Sequence, residues 1–171
     1  MSKRDLKKYI SGLNKKQLEE QIIELYDKFI PVKTYYDFVF NPKEDKLLEE
    51  CKIKISNEYF PIRGKKAKAR RSVAQKYIKH FISLGVDCYV IADIMLYNIE
   101  IAQTYSSNKV VKQELFFKSM LNSFEQAVSY CIQNGILTDF KSRVVAINEE
   151  AIKQNWVNFY EFNAIIERLD Y

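Results

Sequence analysis

Residues that interrupt helices are scarce in this chain, which has four glycines and three prolines among 171 residues. Folds built from short β-strands use such residues at their many turns, so the scarcity favours helices. Hydrophobic residues nevertheless make up 47% of the sequence, which is too many for a disordered chain. We therefore expect an all-α protein in which residues 1–171 form a single domain without a linker.

Residue types that carry common chemistry are also scarce. The three cysteines lie far apart and form no CxxC pair, which argues against a zinc or redox site and indicates reduced thiols. One histidine, His80, is too few for a helical di-iron site or an HExxH zinc motif. Phosphate-binding glycine loops and serine-hydrolase motifs are missing as well. The sequence therefore predicts no metal and no cofactor, and no motif in it fixes a catalytic activity.

Long apolar runs are missing too. The most apolar window, VIADIMLYNIEIA, is interrupted by Asp93, Asn98 and Glu100. The opening residues MSKRDLKKY are charged and lack the apolar run of a secretory signal. We therefore expect a cytoplasmic protein that makes no contact with a membrane.

Helix start and stop signals are frequent along the chain. Gly12 is expected to end the first helix in a left-handed conformation. Residues 88–105 are apolar on nearly every side, as expected of a central helix, and residues 106–108 are expected to form a connection. Asn148 predicts the start of a helix that breaks near Asn155. Together the signals predict a compact, irregular array of about seven to nine helices around a largely apolar central helix.

Positive charge is concentrated in the stretch RGKKAKARR at residues 63–71, which holds six cations in a chain whose net charge is +5. We expect a basic loop at residues 61–68, followed by an amphipathic helix. Clustered lysine and arginine attract phosphates, so this region is a candidate for binding nucleic acid or another anion. The alternative is a solvated loop, or one neutralised by the acidic segment that begins at Asn148. The candidate residues are Arg63, Lys65, Lys66, Lys68, Arg70, Arg71, Lys76 and Lys79.

A polar stripe crosses the predicted central helix, where Asp93, Tyr97 and Glu100 recur at helical spacing. The two carboxylates are seven residues apart, roughly 10 Å along a helix, so they cannot share a proton directly. Each needs a partner if buried. The expected partners are Arg70, Arg71 and His80. The stripe is interpreted as a small acid–base cleft built from Asp93, Tyr97, Glu100 and His80, as structural ion pairs and hydrogen bonds that fix the helix register, or as a stripe that faces water.

Three stretches resemble a family of small bacterial proteins classed as domain of unknown function 6155. They are YYDFVFNPKEDKLLEE, KARRSVAQKYIKHFISLGVD and ADIMLYNIEIAQ. The resemblance covers most of the chain and implies a bacterial cytosolic protein that stands alone as one domain. Since that family has no assigned activity, it transfers no site residues.

These observations lead to three hypotheses of different classes. The first is a non-enzymatic helical module for protein interaction or regulation, with a protein partner. The second is RNA or DNA binding through the basic loop and the helix after it. The third is a small enzyme that uses the Asp, Glu and His cleft, which requires those side chains to converge on one pocket.

Overall fold

The computed structural model describes residues 2–62 and 66–169, and all regular secondary structure in these residues is helical. Nine helices are present in this part of the chain, so the all-α class and the expected number of helices are confirmed. They are α1 (Lys3–Ser11), α2 (Lys15–Lys28), α3 (Ile30–Phe40), α4 (Glu44–Tyr59), α5 (Arg71–Leu84), α6 (Cys88–Asn108), α7 (Glu114–Gln133), α8 (Leu137–Lys153) and α9 (Phe159–Glu167).

The helices group into two compact units. The N-terminal unit, residues 1–43, contains α1 to α3, and the C-terminal unit, residues 44–171, contains α4 to α9. The expectation of a single domain stays a prediction.

Capping boxes start the first two helices. The Ser2 hydroxyl accepts a hydrogen bond from the Asp5 amide, and the Asp5 carboxylate accepts one from the Ser2 amide. Asn14 and Gln17 make the same reciprocal pair at the start of α2. Gly12, however, has a φ of −88°, so the expectation of a left-handed residue there is wrong. Its amide bonds the Tyr9 carbonyl, which closes a tightened last turn without any left-handed residue.

In the C-terminal unit α6 is the central helix. It packs against α4, α5, α7 and α8, and nine of its residues are buried. The predicted central position is thereby confirmed. The predicted connection at residues 106–108 is wrong, because α6 continues to Asn108. Side chains of the last turn satisfy its free carbonyl groups: Ser107 and Asn108 both donate to the Thr104 carbonyl.

Beyond α6, an aromatic cluster joins α7 to the C-terminal segment. Trp156 is 2% exposed, and its ring lies 5.5 Å from Phe117 and 5.6 Å from Phe162 between centroids. The predicted break at Asn155 is confirmed, since α8 ends at Lys153 and Asn155 has a φ of +50°. The predicted helix start at Asn148 is wrong.

Asn148 instead lies buried inside α8, where its side-chain amide donates to Asn163 of α9. That contact replaces the capping role which its residue type suggested.

Burial along α7 gives a direct test of this core. We expect Leu121→Ala to lower the free energy of unfolding by about 2 to 4 kcal/mol, because Leu121 is 9% exposed and its removal leaves a cavity. Leu115→Ala is the matched control on the same helix, and it should cost less than about 0.5 kcal/mol, because Leu115 is 79% exposed. Urea unfolding followed by Trp156 fluorescence measures both values. Equal costs would contradict the assigned burial.

Candidate functional site

The polar stripe of α6 is part of an ion-pair network that joins three helices. Lys52 of α4 places its Nζ 2.6 Å from one oxygen of Asp93, and Arg143 of α8 places a guanidinium nitrogen 2.6 Å from the other. The same guanidinium donates two parallel hydrogen bonds, of 2.9 Å each, to both oxygens of Glu100. We call Lys52, Asp93, Glu100 and Arg143 the Arg143 cluster.

The cluster contains two cations and two anions, each partly shielded from water. Burial by itself would raise the pKa of Asp93, but hydrogen bonds and charge from Lys52 and Arg143 outweigh it, so the pKa lies below its ordinary value. Burial would likewise lower the pKa of Arg143, yet its bonds to Glu100 and Asp93 raise it. The charged states of Asp93 and Arg143 are therefore stabilised by their partners.

This network corrects the expected partners of the two carboxylates. Arg70, Arg71 and His80 do not pair with Asp93 or Glu100 anywhere in the described residues. The partners are Lys52 and Arg143. His80 is exposed on α5 with its ring beside Phe81, so the structure does not bring it to the polar stripe.

The remaining member of the predicted cleft, Tyr97, lies beside the cluster. The Nζ of Lys52 is 5.3 Å from the centre of its ring. Both residues line an open groove of about 430 Å³ between α4 and α6. Because both oxygens of Asp93 are occupied by cations, the geometry favours the structural interpretation of the stripe over an acid–base cleft.

The sequence contained a signal for the missed partners. Arg143 falls between Phe140 and Ile147 at helical spacing, on the face of α8 that is otherwise buried. Lys52 interrupts the apolar face of α4 in the same way, one turn before Ile55. A cation on an apolar helix face needs a buried partner, and the only polar stripe on the central helix supplies it.

The basic segment, residues 63–79, is partly neutralised by one acid of α4. Arg63 and Lys65 lie outside the described residues. Arg70 binds the Glu58 carboxylate with two hydrogen bonds of 2.8 Å, and the amides of Lys68 and Ala69 both donate to the Glu58 carbonyl at 2.9 Å. The Arg70 hydrogen bond lowers the pKa of Glu58. The neutralising acid is therefore Glu58.

Arg71 points towards α7, and no carboxylate of the described residues pairs with it. Its guanidinium donates to the Ser123 hydroxyl at 2.7 Å and to the Gln126 side-chain oxygen at 2.8 Å. Burial lowers its pKa. A half-buried cation held only by neutral acceptors keeps an uncompensated positive charge at the start of α5.

Four further lysines of the predicted set are exposed and make no ion pair within the described residues. They are Lys66, Lys68, Lys76 and Lys79.

The N-terminal unit presents a different kind of surface. None of its described residues is buried. Eleven large hydrophobic side chains in it are between 39% and 79% exposed. They are Leu6, Tyr9, Ile10, Ile22, Ile23, Leu25, Phe29, Ile30, Tyr35, Val39 and Phe40.

Other site types find little support in the described part of the chain. It contains no group of three or more His, Cys, Asp or Glu side chains that could hold a metal ion. Its three cysteines are free thiols, and burial raises the pKa of Cys51 to about 12. No helix in residues 2–62 and 66–169 is long and apolar enough to cross a bilayer.

Comparison with protein families agrees with the resemblance seen in the sequence. The pattern of DUF6155, a family of unknown function, matches residues 1–170. The chain belongs to the DUF6155 family. No curated protein and no solved structure matches it. The family carries no assigned activity, so the arguments on function below rest on the geometry.

Removing the guanidinium at the centre of the Arg143 cluster tests its structural role. We expect Arg143→Met to lower the free energy of unfolding by about 2 to 3 kcal/mol, because two partly buried carboxylates lose their shared partner. Arg168→Met is the control, since Arg168 is exposed at the end of α9 and should cost less than about 0.5 kcal/mol. Urea unfolding measures both. A negligible cost for Arg143→Met would contradict the role.

The lowered pKa of Asp93 predicts a dependence on pH. Its ion pairs contribute stability above the pKa of the unfolded state, and that contribution is lost as pH falls through the lower pKa of the folded state. The stability gap between the wild type and Asp93→Asn should therefore narrow as pH falls from about 7 to about 3. The gap is measured from the unfolding free energies of the wild type and Asp93→Asn across this pH range. Glu125→Gln, which removes an exposed carboxylate of α7, is the control. A gap that widened on acidification would contradict the assignment.

Proposed function

We propose that the chain is a non-enzymatic helical protein-interaction module, and that its N-terminal unit pairs with a second copy of the chain. The observation that carries the proposal is the apolar surface of α1 to α3, where eleven large hydrophobic side chains are exposed and no described residue is buried. A concentration of large exposed apolar side chains in one unit is typical of an interaction site.

The area of this surface is sufficient for a stable interface. Large side chains that are about half exposed each present on the order of 100 Å² of accessible surface, so eleven of them present on the order of 1,000 Å². A standard protein interface needs about 800 Å² from each partner. Part of the surface is therefore enough, and the pairing does not require every exposed side chain.

Charge favours a second copy over an unrelated partner. The helix α1 carries Lys3, Arg4, Lys7 and Lys8 against one acid, whereas α2 carries Glu19, Glu20, Glu24 and Asp27 against three lysines. A two-fold axis places one surface against itself, so the basic α1 of each copy can face the acidic α2 of the other. The lysines of α2 already pair with its glutamates, but these exposed pairs are weak and exchange readily.

The Arg143 cluster supports the non-enzymatic part of the proposal. Its carboxylates are held by cations, which leaves Asp93 a poor proton acceptor. The free cysteines fit the cytoplasm, which we propose as the compartment.

The oligomeric state tests the proposal. At about 100 µM we expect the purified chain to sediment with twice its 20.3 kDa mass, since apolar interfaces of this area associate in the micromolar range or tighter. The variant Ile23→Asp with Ile30→Asp should sediment as a monomer, because each substitution places a charge in the interface. Sedimentation velocity measures both masses.

The control is Val110→Asp with Leu115→Asp, which changes two side chains of the C-terminal unit that are at least as exposed, and it should stay dimeric. Circular dichroism checks that both variants keep the helical content of the wild type. A monomeric wild type would overturn the pairing, as would a control variant that dissociates to the same extent as the test variant.

A further inference from the structure

One continuous segment of the C-terminal unit carries positive charge and no negative charge. Residues 59–86 contain eight lysines and arginines and neither aspartate nor glutamate. Glu58 forms an ion pair with Arg70. Within the described part of the chain no ion pair is formed by Arg71, Lys66, Lys68, Lys76 or Lys79. Like charges this close repel one another, so an external polyanion would stabilise the surface.

One of these cations, Lys79, lines a groove. The groove lies between α5 and α7 with a volume of about 550 Å³. Met95 of α6 and Ile78 of α5 contribute apolar surface to it. Its polar lining consists of Gln75, Lys79, Glu125, Gln126, Ser129, Tyr130 and Gln133. Three amides and two hydroxyls in one groove can donate and accept hydrogen bonds, which is the chemistry that the edges of nucleobases require.

The positive start of α5 lies close to this groove. Arg71 bonds Gln126, which is itself part of the groove lining. No side chain caps the first turn of α5, so the free amides there add to the positive field of Arg71. From Arg71 to Lys79 the cations extend over about 12 Å of helix.

We propose that the α5–α7 groove and its flanking cations bind single-stranded nucleic acid. Lys66, Lys68, Lys76 and Lys79 contact phosphates, and Arg71 supplies positive charge at one end. Unstacked bases enter the groove, where the glutamine amides bond their edges and Tyr130 offers an aromatic face. A groove of this volume takes about two bases, and only a single strand can present them unpaired.

The same surface is poorly suited to a membrane. Peripheral membrane helices direct large apolar side chains outward between their lysines. The exposed residues of α5 are instead polar except for Ile82, and Ile82 lines the groove. The observations therefore favour a nucleic acid over an anionic lipid surface.

The proposal is tested with a fluorescein-labelled single-stranded RNA of mixed sequence, using fluorescence anisotropy across a salt series. The test variant carries Lys66→Gln, Lys68→Gln, Lys76→Gln and Lys79→Gln, since glutamine removes the charge and keeps helix propensity. We expect at least a tenfold loss of affinity. The log–log salt slope should fall by about 2 to 3 units, at about 0.7 per phosphate contact on single strands.

The matched control removes four exposed lysines that do not line this groove, through Lys46→Gln, Lys54→Gln, Lys112→Gln and Lys153→Gln. It has the same net charge as the test variant and should keep the wild-type affinity and slope. Equal losses of affinity in the two variants would mean that net charge alone drives binding. This result would contradict the proposed site.

A second variant examines the groove itself. Gln75→Glu with Gln133→Glu places two carboxylates in the groove and leaves every cation in place, so affinity should fall at least tenfold through repulsion of the strand. Equal affinity of the wild type for a duplex of the same length, or for vesicles with anionic headgroups, would contradict the proposal. So would the absence of binding at low salt. The variant Ile23→Asp with Ile30→Asp, which is expected to be monomeric, should bind the RNA as the wild type does. This result would separate the RNA site from the proposed pairing.

Discussion

The pairing of Arg143 with two carboxylates of α6 is the interaction on which the arrangement of the C-terminal unit depends. The central helix must be buried to form the core, yet Asp93 and Glu100 lie on it, and an unpaired carboxylate opposes burial. Arg143 from α8 and Lys52 from α4 supply charge from two sides. A shift of either helix by one turn would separate these atoms, so the contacts are made in only one register of the three helices.

Local features of the fold were predictable because their causes are local. A capping box involves residues three positions apart, and the apolar character of α6 is visible within its own 21 residues. The partners of Asp93 were not predictable in this way. Lys52 and Arg143 are 41 and 50 positions from it in the sequence, and only tertiary packing brings them together. For Asn148 the prediction from residue type was wrong. Asparagine is favoured at helix starts, but here it lies inside α8 and donates a hydrogen bond to Asn163 of α9.

The chain separates two kinds of surface between its two units. Apolar side chains remain uncovered on α1 to α3, whereas cations that form no ion pair with any described residue lie at and just before α5. Apolar contacts gain free energy from the release of water and depend little on salt, whereas phosphate contacts depend steeply on it. The proposed association of the chain and its proposed binding of a polyanion would therefore vary independently as ionic strength changes.

Glu58 has a consequence for how this protein tolerates change. Through its carbonyl and its carboxylate it holds two amides and one guanidinium just before α5 begins. These hydrogen bonds attach the start of α5 directly to the end of α4. We therefore expect changes in the length of the chain that connects Phe60 to Lys68 to leave the two helices in place and the core intact.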